Sequence, residues 1–145
     1  MKRALVLFCS LLALAACVPP PSPPPGPPPG RFAAPSGTRI FTVYFGWNRA
    51  RVGRAGMAVL QQAAAAYRAG GVVTVQVTGF TDTSGSSAYN LSLSARRAQN
   101  VGHILTSLGV PWTAMQIAAA GETNLAVPIP EGVREPRNRR VTVVE

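Results

Sequence analysis

Side chains that support catalysis or disulfide bonding are scarce in this sequence of 145 residues. Its two cysteines, Cys9 and Cys17, both lie in an apolar segment near the start, so no thiol remains elsewhere for a disulfide or a metal site. The sequence has one histidine, His103, and one aspartate, Asp82, with no pair of carboxylates and no cluster of metal ligands. We therefore expect neither an enzyme nor a protein with a metal or cofactor.

Negative charge is also scarce. Fourteen Lys and Arg residues outnumber five Asp and Glu residues, which gives a formal net charge of +9, and every basic residue after Lys2 is an arginine. A strongly basic protein can bind the phosphates of nucleic acid or, when it is exported, anionic headgroups and cell-wall polymers. Charge alone leaves both kinds of partner open, so the choice depends on whether the chain is exported.

The first sixteen residues have the pattern of an export signal. Lys2 and Arg3 precede an apolar run over residues 4–14, which is too short to span a bilayer because a span requires about 20 apolar residues. The tetrad Leu14-Ala15-Ala16-Cys17 resembles a bacterial lipobox, in which a signal peptidase cleaves before a lipidated cysteine. We expect residues 1–16 to be a lipoprotein signal peptide and Cys17 to be the lipid-attachment residue. The alternative is an ordinary secretory signal that leaves Cys17 as a free thiol.

Residues 17–37 are interpreted as the lipidated cysteine followed by a proline-rich linker. Nine prolines lie between Pro19 and Pro29, and polyproline II rises about 3.1 Å per residue, so the linker could hold a domain on the order of 60 Å from a membrane. A ligand for a proline-binding domain is the alternative use. Val18 stands where an aspartate would favour the inner membrane, so we expect a lipid anchor at the periplasmic face of the outer membrane. Because the chain has an export signal, we expect no nucleic-acid partner.

Residues 38–145 have the patterns of a small folded domain. Three stretches alternate apolar and polar residues in the manner of half-buried strands, namely Phe41 to Phe45, Val73 to Thr78 and Arg140 to Glu145. Ile117 to Gly121 is predicted to be a further strand, the third in chain order. Two stretches between them have apolar residues at helical spacing. The order strand, helix, strand, helix, strand, strand predicts an α+β fold in which two helices pack on one face of a small mixed four-stranded sheet.

The ends of the two helices are predicted from glycines and from a serine. The first helix contains Val59, Leu60, Ala63 and Tyr67 and ends at Gly70-Gly71, where a left-handed cap is needed. The second contains Ala98, Val101, Leu105 and Leu108 and ends at Gly109. We expect Ser94 to be the N-cap of this second helix, which would place Arg97 in its first turn.

The segment between the second strand and the second helix is the candidate binding site. Residues 79–90 are rich in small polar side chains, which leave backbone groups free to face a ligand, and they include Asp82. Asp82 could instead accept hydrogen bonds within its own turn. Arg97 would oppose the helix dipole in a first turn, which suggests a role other than helix stability, although a solvated surface charge is the alternative.

This segment resembles the OmpA-like domain family. The resemblance rests on Thr78-Gly79-Phe80-Thr81-Asp82-Thr83-Ser84-Gly85 and on the Tyr89-Asn90, Leu93-Ser94 and Arg96-Arg97-Ala98 that follow it. It extends over residues 39–145 through Tyr44-Phe45, Gly121-Glu122 and Asn138-Arg139-Arg140-Val141. It implies non-covalent binding of peptidoglycan, usually at the meso-diaminopimelate of the stem peptide, by a protein that tethers the outer membrane to the cell wall.

The resemblance also implies roles for individual residues. Asp82 would bind the ammonium and Arg97 the carboxylate at the free end of diaminopimelate, which suits an anion and a bidentate cation. Asn90, Arg139 and Thr81 would complete the site, although Asn90 could stabilise its own turn and Arg139 could belong to a generally basic strand start. We expect Asp82→Ala and Arg97→Ala each to abolish binding while the domain remains folded.

Three positions depart from the family's pattern. The family usually has aspartates where this chain has Gly46 and Asn48, and histidine where it has Phe80, which could still pack or cover a ligand stem. The alternative within the family is Pal, the peptidoglycan-associated lipoprotein of the Tol system, whose partner is a TolB-type protein. Pal proteins more often have an Asp-Glu-Arg-Gly-type loop where this chain has Asp82-Thr83-Ser84-Gly85, so a general OmpA-like lipoprotein is preferred.

Overall fold

The computed structural model describes residues 37–72 and 74–145. The predicted signal peptide, Cys17, the linker up to residue 36 and Val73 lie outside the described residues. The described elements are β1 (Ile40–Tyr44), α1 (Arg54–Arg68), β2 (Val75–Gly79), α2 (Ser87–Ser107), β3 (Met115–Ala119) and β4 (Arg140–Val144). Short 3-10 helices precede β3 and β4, at Trp112–Ala114 and Pro136–Asn138. Among the helices of this part of the chain, none is long and apolar enough to cross a bilayer.

The four strands form one mixed sheet in the order β1-β4-β2-β3. β2 and β3 are parallel, which requires a long crossover connection, and α2 lies within it. β4 runs antiparallel to both β1 and β2. The loops that leave β1 and β2 and the loop that enters β4 therefore meet at the same end of the sheet.

The core lies between one face of this sheet and the two helices. The strand residues that face it are fully buried valines, and Leu60 of α1 and Leu105 of α2 pack among them; the valines are Val43, Val75, Val77, Val141 and Val143. On the intervening positions Thr42, Thr78 and Thr142 lie side by side in register and are only half-buried. The predicted α+β fold, with two helices on one face of a mixed sheet, is confirmed, because one-sided burial imposes the alternation that the sequence shows.

The predicted end of the first helix is confirmed. Gly70 follows α1 with a φ of +94°, in the left-handed region that glycine adopts without steric cost, and its amide donates to the carbonyl of Tyr67. The predicted third strand is displaced by two residues. β3 ends at Ala119, because the backbone of Gly121 turns toward the loop after β2 and its carbonyl accepts from the amide of Thr81 at 2.7 Å.

The prediction that Ser94 is the N-cap of the second helix is wrong. α2 begins at Ser87, and Ser86 is its N-cap, with a hydroxyl that accepts from the amide of Tyr89 at 3.3 Å. The apolar period of the helix is interrupted by two buried polar residues on its inward face, Asn90 and Ser94. Ser94 donates to the carbonyl of Leu91 at 2.7 Å and accepts from the amide of Gly121 at 3.0 Å. Arg97 therefore lies about three turns into the helix, outside the field of its N-terminus.

Gly79 is required by the close approach of β2 to α2. A Cβ at this position would collide with the backbone carbonyl of Ser94. We expect Gly79→Ala to lower the free energy of unfolding by about 2 kcal/mol or more, since neither backbone can move without separating helix from sheet. Urea unfolding followed by circular dichroism measures the change. Gly53→Ala is the control, because its Cβ would meet nothing within 4 Å; similar midpoints for the two variants would contradict the close approach.

Candidate functional site

A small pocket lies at the end of the sheet where the loops after β1 and β2 meet the loop before β4. Its volume is about 90 Å³, which suits an end group of a ligand rather than a whole sugar or peptide. Four of the predicted site residues line it, namely Asp82, Asn90, Arg97 and Arg139. Residues that come from distant parts of the sequence are thus brought together by the strand order.

Asp82 is the acidic group of the pocket. Its side chain is nearly buried and accepts four hydrogen bonds, from the amide and hydroxyl of Ser84 at 3.3 and 2.7 Å, from the amide of Glu135 at 3.1 Å and from the guanidinium of Arg139 at 3.0 Å. Burial by itself would raise the pKa of Asp82, but the bonds from Ser84, Arg139 and Glu135 outweigh it and the pKa is below its ordinary value. Asp82 is therefore a carboxylate at neutral pH.

Arg97 forms the floor of the pocket. It is fully buried, and its guanidinium donates to three backbone carbonyls, those of Arg49 at 2.8 Å, Phe80 at 2.9 Å and Gly46 at 3.2 Å. Burial lowers the pKa of Arg97 to about 10, and the nearby Asp82 acts in the opposite direction, so the side chain remains charged at neutral pH. Arg97 thus cross-links the loop after β1 to the end of β2 as well as lining the pocket.

Arg139 is the second cation and lies closer to the surface. Its guanidinium forms the ion pair with Asp82 and also donates to the carbonyl of Phe45 at 3.1 Å. The side chain is 11% exposed, whereas Arg97 is not exposed at all. The described pocket therefore holds one carboxylate and two guanidinium groups, which together can meet a ligand that has an anion and a cation close together.

The two other predicted site residues, Asn90 and Thr81, differ in whether they line the pocket. Asn90 lines the pocket, yet its amide donates to the carbonyl of Gly85 at 3.1 Å and to the carboxylate of Glu122 at 2.6 Å, so it also stabilises the loop after β2. Thr81 does not line the pocket. Thr81 is buried, and its backbone amide donates to the carbonyl of Gly121. Its hydroxyl has no hydrogen-bond partner within the described residues.

The three residues that depart from the family's pattern, Gly46, Asn48 and Phe80, lie in different surroundings. Gly46 contributes a carbonyl to Arg97, and Asn48 lines the pocket and accepts a hydrogen bond from the hydroxyl of Tyr89. Phe80 lies outside the pocket, and its ring packs under the guanidinium of Arg140, which is 4.0 Å from the ring centre.

Sequence reasoning missed two residues at the pocket mouth. Trp47 lines the pocket and is 48% exposed, and its indole N–H donates to the hydroxyl of Ser84 at 3.3 Å. The guanidinium of Arg134 stacks on the indole ring, 3.7 Å from its centre. A tryptophan between Gly46 and Asn48, in a polar loop where it belongs to no strand or helix pattern, was the available signal.

Two hydroxyl groups line the pocket, and both are engaged in hydrogen bonds. The hydroxyl of Ser84 donates to Asp82, which is itself paired with Arg139, and the hydroxyl of Tyr89 donates to Asn48. In the part of the chain that the structure describes, no group of three metal-ligating side chains occurs. What the arrangement offers is reversible recognition of charge.

The fold and the pocket thus define a small binding domain with a charged pocket at one end of its sheet. The sequence model of the OmpA family matches residues 44–139, so the chain belongs to the OmpA family. An outer membrane protein of Gluconacetobacter diazotrophicus is 37% identical over 117 residues, which cover 77% of this chain and 31% of that protein. The chain therefore spans less than a third of the length of this relative.

Two further relatives match over more of their own length. A peptidoglycan-associated lipoprotein of Pasteurella multocida is 32% identical over 105 residues, which cover 72% of this chain and 70% of that protein. The crystal structure of the peptidoglycan-associated lipoprotein from Burkholderia pseudomallei has a TM-score of 0.66 and 30% sequence identity, and the match covers 72% of this chain and 88% of that one. The names of these relatives thus describe one as an outer membrane protein and two as peptidoglycan-associated lipoproteins.

Proposed function

We propose that the domain of residues 38–145 binds peptidoglycan non-covalently through the free end of diaminopimelate in the stem peptide. One observation carries the proposal: an ionised carboxylate, Asp82, and two guanidinium groups, Arg97 and Arg139, line a pocket that has the size of an amino-acid end group. The free end of diaminopimelate has an ammonium and a carboxylate on one carbon, so it presents both charges within that space.

Each charged group has a role in this proposal. The ligand ammonium bonds Asp82, and the ligand carboxylate bonds Arg139 and Arg97. An arginine has five N–H groups and Arg97 gives three to carbonyls, which leaves two for a ligand. Because the ligand end is a zwitterion, it can insert between Asp82 and Arg139 without adding net charge to a nearly buried site.

The anchor is proposed on sequence grounds. We infer that residues 1–16 are removed, that Cys17 carries the lipid, and that the linker to residue 37 places the domain at the cell wall. The protein then tethers the outer membrane to peptidoglycan from the periplasmic face. The outer-membrane name of the Gluconacetobacter relative supports this location, and the lipobox supports the anchor.

Co-sedimentation with purified sacculi tests the proposed function. The purified full chain in mild detergent is expected to sediment with sacculi that contain meso-diaminopimelate, and free meso-diaminopimelate is expected to compete it into the supernatant. Nα-acetyl-lysine, whose ammonium and carboxylate are on different carbons, is the matched competitor and should leave it bound. Failure to sediment, or equal competition by Nα-acetyl-lysine, would overturn the assignment.

The low pKa of Asp82 determines the acid limit of this binding. Asp82 has a lower pKa in the folded protein than in the unfolded chain, where it is about 3.9. Its charge therefore contributes fully to stability and to ligand binding above that pH, and the contribution is lost as the pH falls through the folded pKa. We expect sedimentation with sacculi to be unchanged from pH 7 to about pH 5 and to be lost only below about pH 4. Sedimentation at constant ionic strength measures this, and a loss centred near pH 6 would exclude Asp82 as the acidic group.

Pal is the second candidate function. Its specific support is that the matches to two peptidoglycan-associated lipoproteins cover 70% and 88% of those chains. The loop Asp82-Thr83-Ser84-Gly85 argues for a general OmpA-like lipoprotein instead. Co-purification of the full chain with a TolB-type partner would favour Pal.

A further inference from the structure

Arg134 and Trp47 form a stacked pair at the mouth of the pocket. The guanidinium of Arg134 lies 3.7 Å from the centre of the indole ring, and Trp47 itself lines the pocket. Trp47 is held by the hydrogen bond from its indole N–H to the hydroxyl of Ser84, and that hydroxyl donates to Asp82 at 2.7 Å. The position of the Arg134 guanidinium is therefore linked to Asp82 through two side chains.

The backbone of Arg134 is linked to Asp82 as well. The next residue, Glu135, donates its amide to the second oxygen of the Asp82 carboxylate at 3.1 Å. Both ends of Arg134 are thus held relative to the same carboxylate. An exposed arginine normally samples many rotamers, and a stacked one has lost part of that freedom before any ligand arrives.

The charge of Arg134 is not neutralised by a neighbour. The ion pairs among residues 37–72 and 74–145 join Arg137 to Glu135 and Arg139 to Asp82, and neither includes Arg134. Arg134 is exposed, and its guanidinium takes part in no side-chain hydrogen bond within the described residues. A positioned, solvent-facing guanidinium beside a ligand pocket is suited to a second anion.

The size of the pocket determines which part of a ligand reaches Arg134. A volume of about 90 Å³ admits the end group alone, so the main chain of a stem peptide must leave the pocket across its rim. That main chain has further carboxylates, the α-carboxylate of isoglutamate and the carboxylate at the peptide's C-terminus. Both are separated from the end group by several bonds, so they lie outside the pocket when the end group is inside.

We propose that Arg134, stacked on Trp47, is a second anion subsite that binds a main-chain carboxylate of the stem peptide. This inference rests on the proposed function, since it requires the end group of diaminopimelate in the pocket. The subsite adds specificity for an unamidated stem peptide. Trp47, on which Arg134 stacks, lies between Gly46 and Asn48, the two positions where the family usually has aspartates. The subsite therefore adds a contact with the ligand on the side of the pocket where this chain lacks those carboxylates.

Calorimetric titration of the full chain in mild detergent with four ligands tests the subsite. The ligands are the monoamide of meso-diaminopimelate, which keeps one zwitterionic end group and has an amide in place of the carboxylate at its other end, the tripeptide L-Ala-γ-D-Glu-meso-diaminopimelate, the same tripeptide with isoglutamine, and the same tripeptide with a C-terminal amide. Arg134→Gln is expected to weaken tripeptide binding by about threefold to fivefold, the upper part of the range of an exposed ion pair, and to leave binding of the diaminopimelate monoamide unchanged. Arg54→Gln, at an exposed arginine on α1, is the matched control and should change neither affinity.

The two amidated peptides identify the carboxylate. The peptide that lacks the partner carboxylate should bind the unaltered chain as weakly as the parent tripeptide binds Arg134→Gln, and Arg134→Gln should not weaken it further. Equal weakening of tripeptide and diaminopimelate monoamide, no weakening of either, or insensitivity to both amidations would overturn the subsite alone. Absence of binding by the unaltered chain to every ligand would overturn the proposed function and the subsite with it.

Discussion

Replacing Asp82 with asparagine is expected to lower the affinity for sacculi by about 30-fold or more. Truncating one member of a desolvated charge pair costs 2 kcal/mol or more, and 2 kcal/mol is about a 30-fold change in affinity. Asparagine keeps the shape of the side chain but removes the charge that the ligand ammonium requires. The side-chain NH2 of asparagine would also replace a carboxylate oxygen that accepts hydrogen bonds, because Ser84, Glu135 and Arg139 all donate to Asp82. A donor would then stand opposite a donor.

Titrating the variant with sacculi and measuring the bound fraction by sedimentation tests this expectation. Glu131→Gln is the matched control. Glu131 is exposed and forms no ion pair or side-chain hydrogen bond within the described residues, so the same change of charge should leave sedimentation unaltered. Circular dichroism should show that both variants are folded. A folded Asp82→Asn chain that binds as tightly as the unaltered chain would exclude Asp82 as the ammonium partner.

The parts of the fold that could be predicted from the sequence are those where burial is one-sided. Val43 and Val141 alternate with the half-buried Thr42 and Thr142 because one face of the sheet is covered and the other is not. The start of α2 could not be predicted in this way. Asn90 and Ser94 occupy inward positions that an amphipathic pattern reserves for apolar residues, since their side chains bond the backbone of neighbouring loops.

The candidate site was predictable as a set of charges but not as a set of contacts. Asp82 and Arg139 could be named because their types and the surrounding motif are distinctive. The partners of Arg97 could not, because every residue has a carbonyl and the sequence does not indicate which three carbonyls a guanidinium will reach. The stacking of Arg134 on Trp47 joins two loops that are distant in sequence, and only the strand order brings them together.

The contacts of Arg97 change what its removal is expected to do. Sequence reasoning predicts that Arg97→Ala loses the ligand and stays folded, but a fully buried guanidinium that satisfies three carbonyls is also a structural cross-link. Alanine would leave the carbonyls of Gly46, Arg49 and Phe80 without their donor and would open a cavity beneath the pocket. A buried polar group that loses its partner costs about 1–3 kcal/mol, and such costs are not fully additive.

We therefore expect Arg97→Ala to lower the free energy of unfolding by about 3–5 kcal/mol, a large fraction of the roughly 5–15 kcal/mol that stabilises a typical domain. Urea unfolding followed by circular dichroism measures the loss. Arg96→Ala is the control on the same helix, since Arg96 is exposed and its one side-chain hydrogen bond joins it to Ser92, so its removal should cost less than about 1 kcal/mol. If Arg97→Ala unfolds at the same urea concentration as Arg96→Ala, then Arg97 does not hold the loop after β1 to the end of β2, and its burial serves the ligand alone.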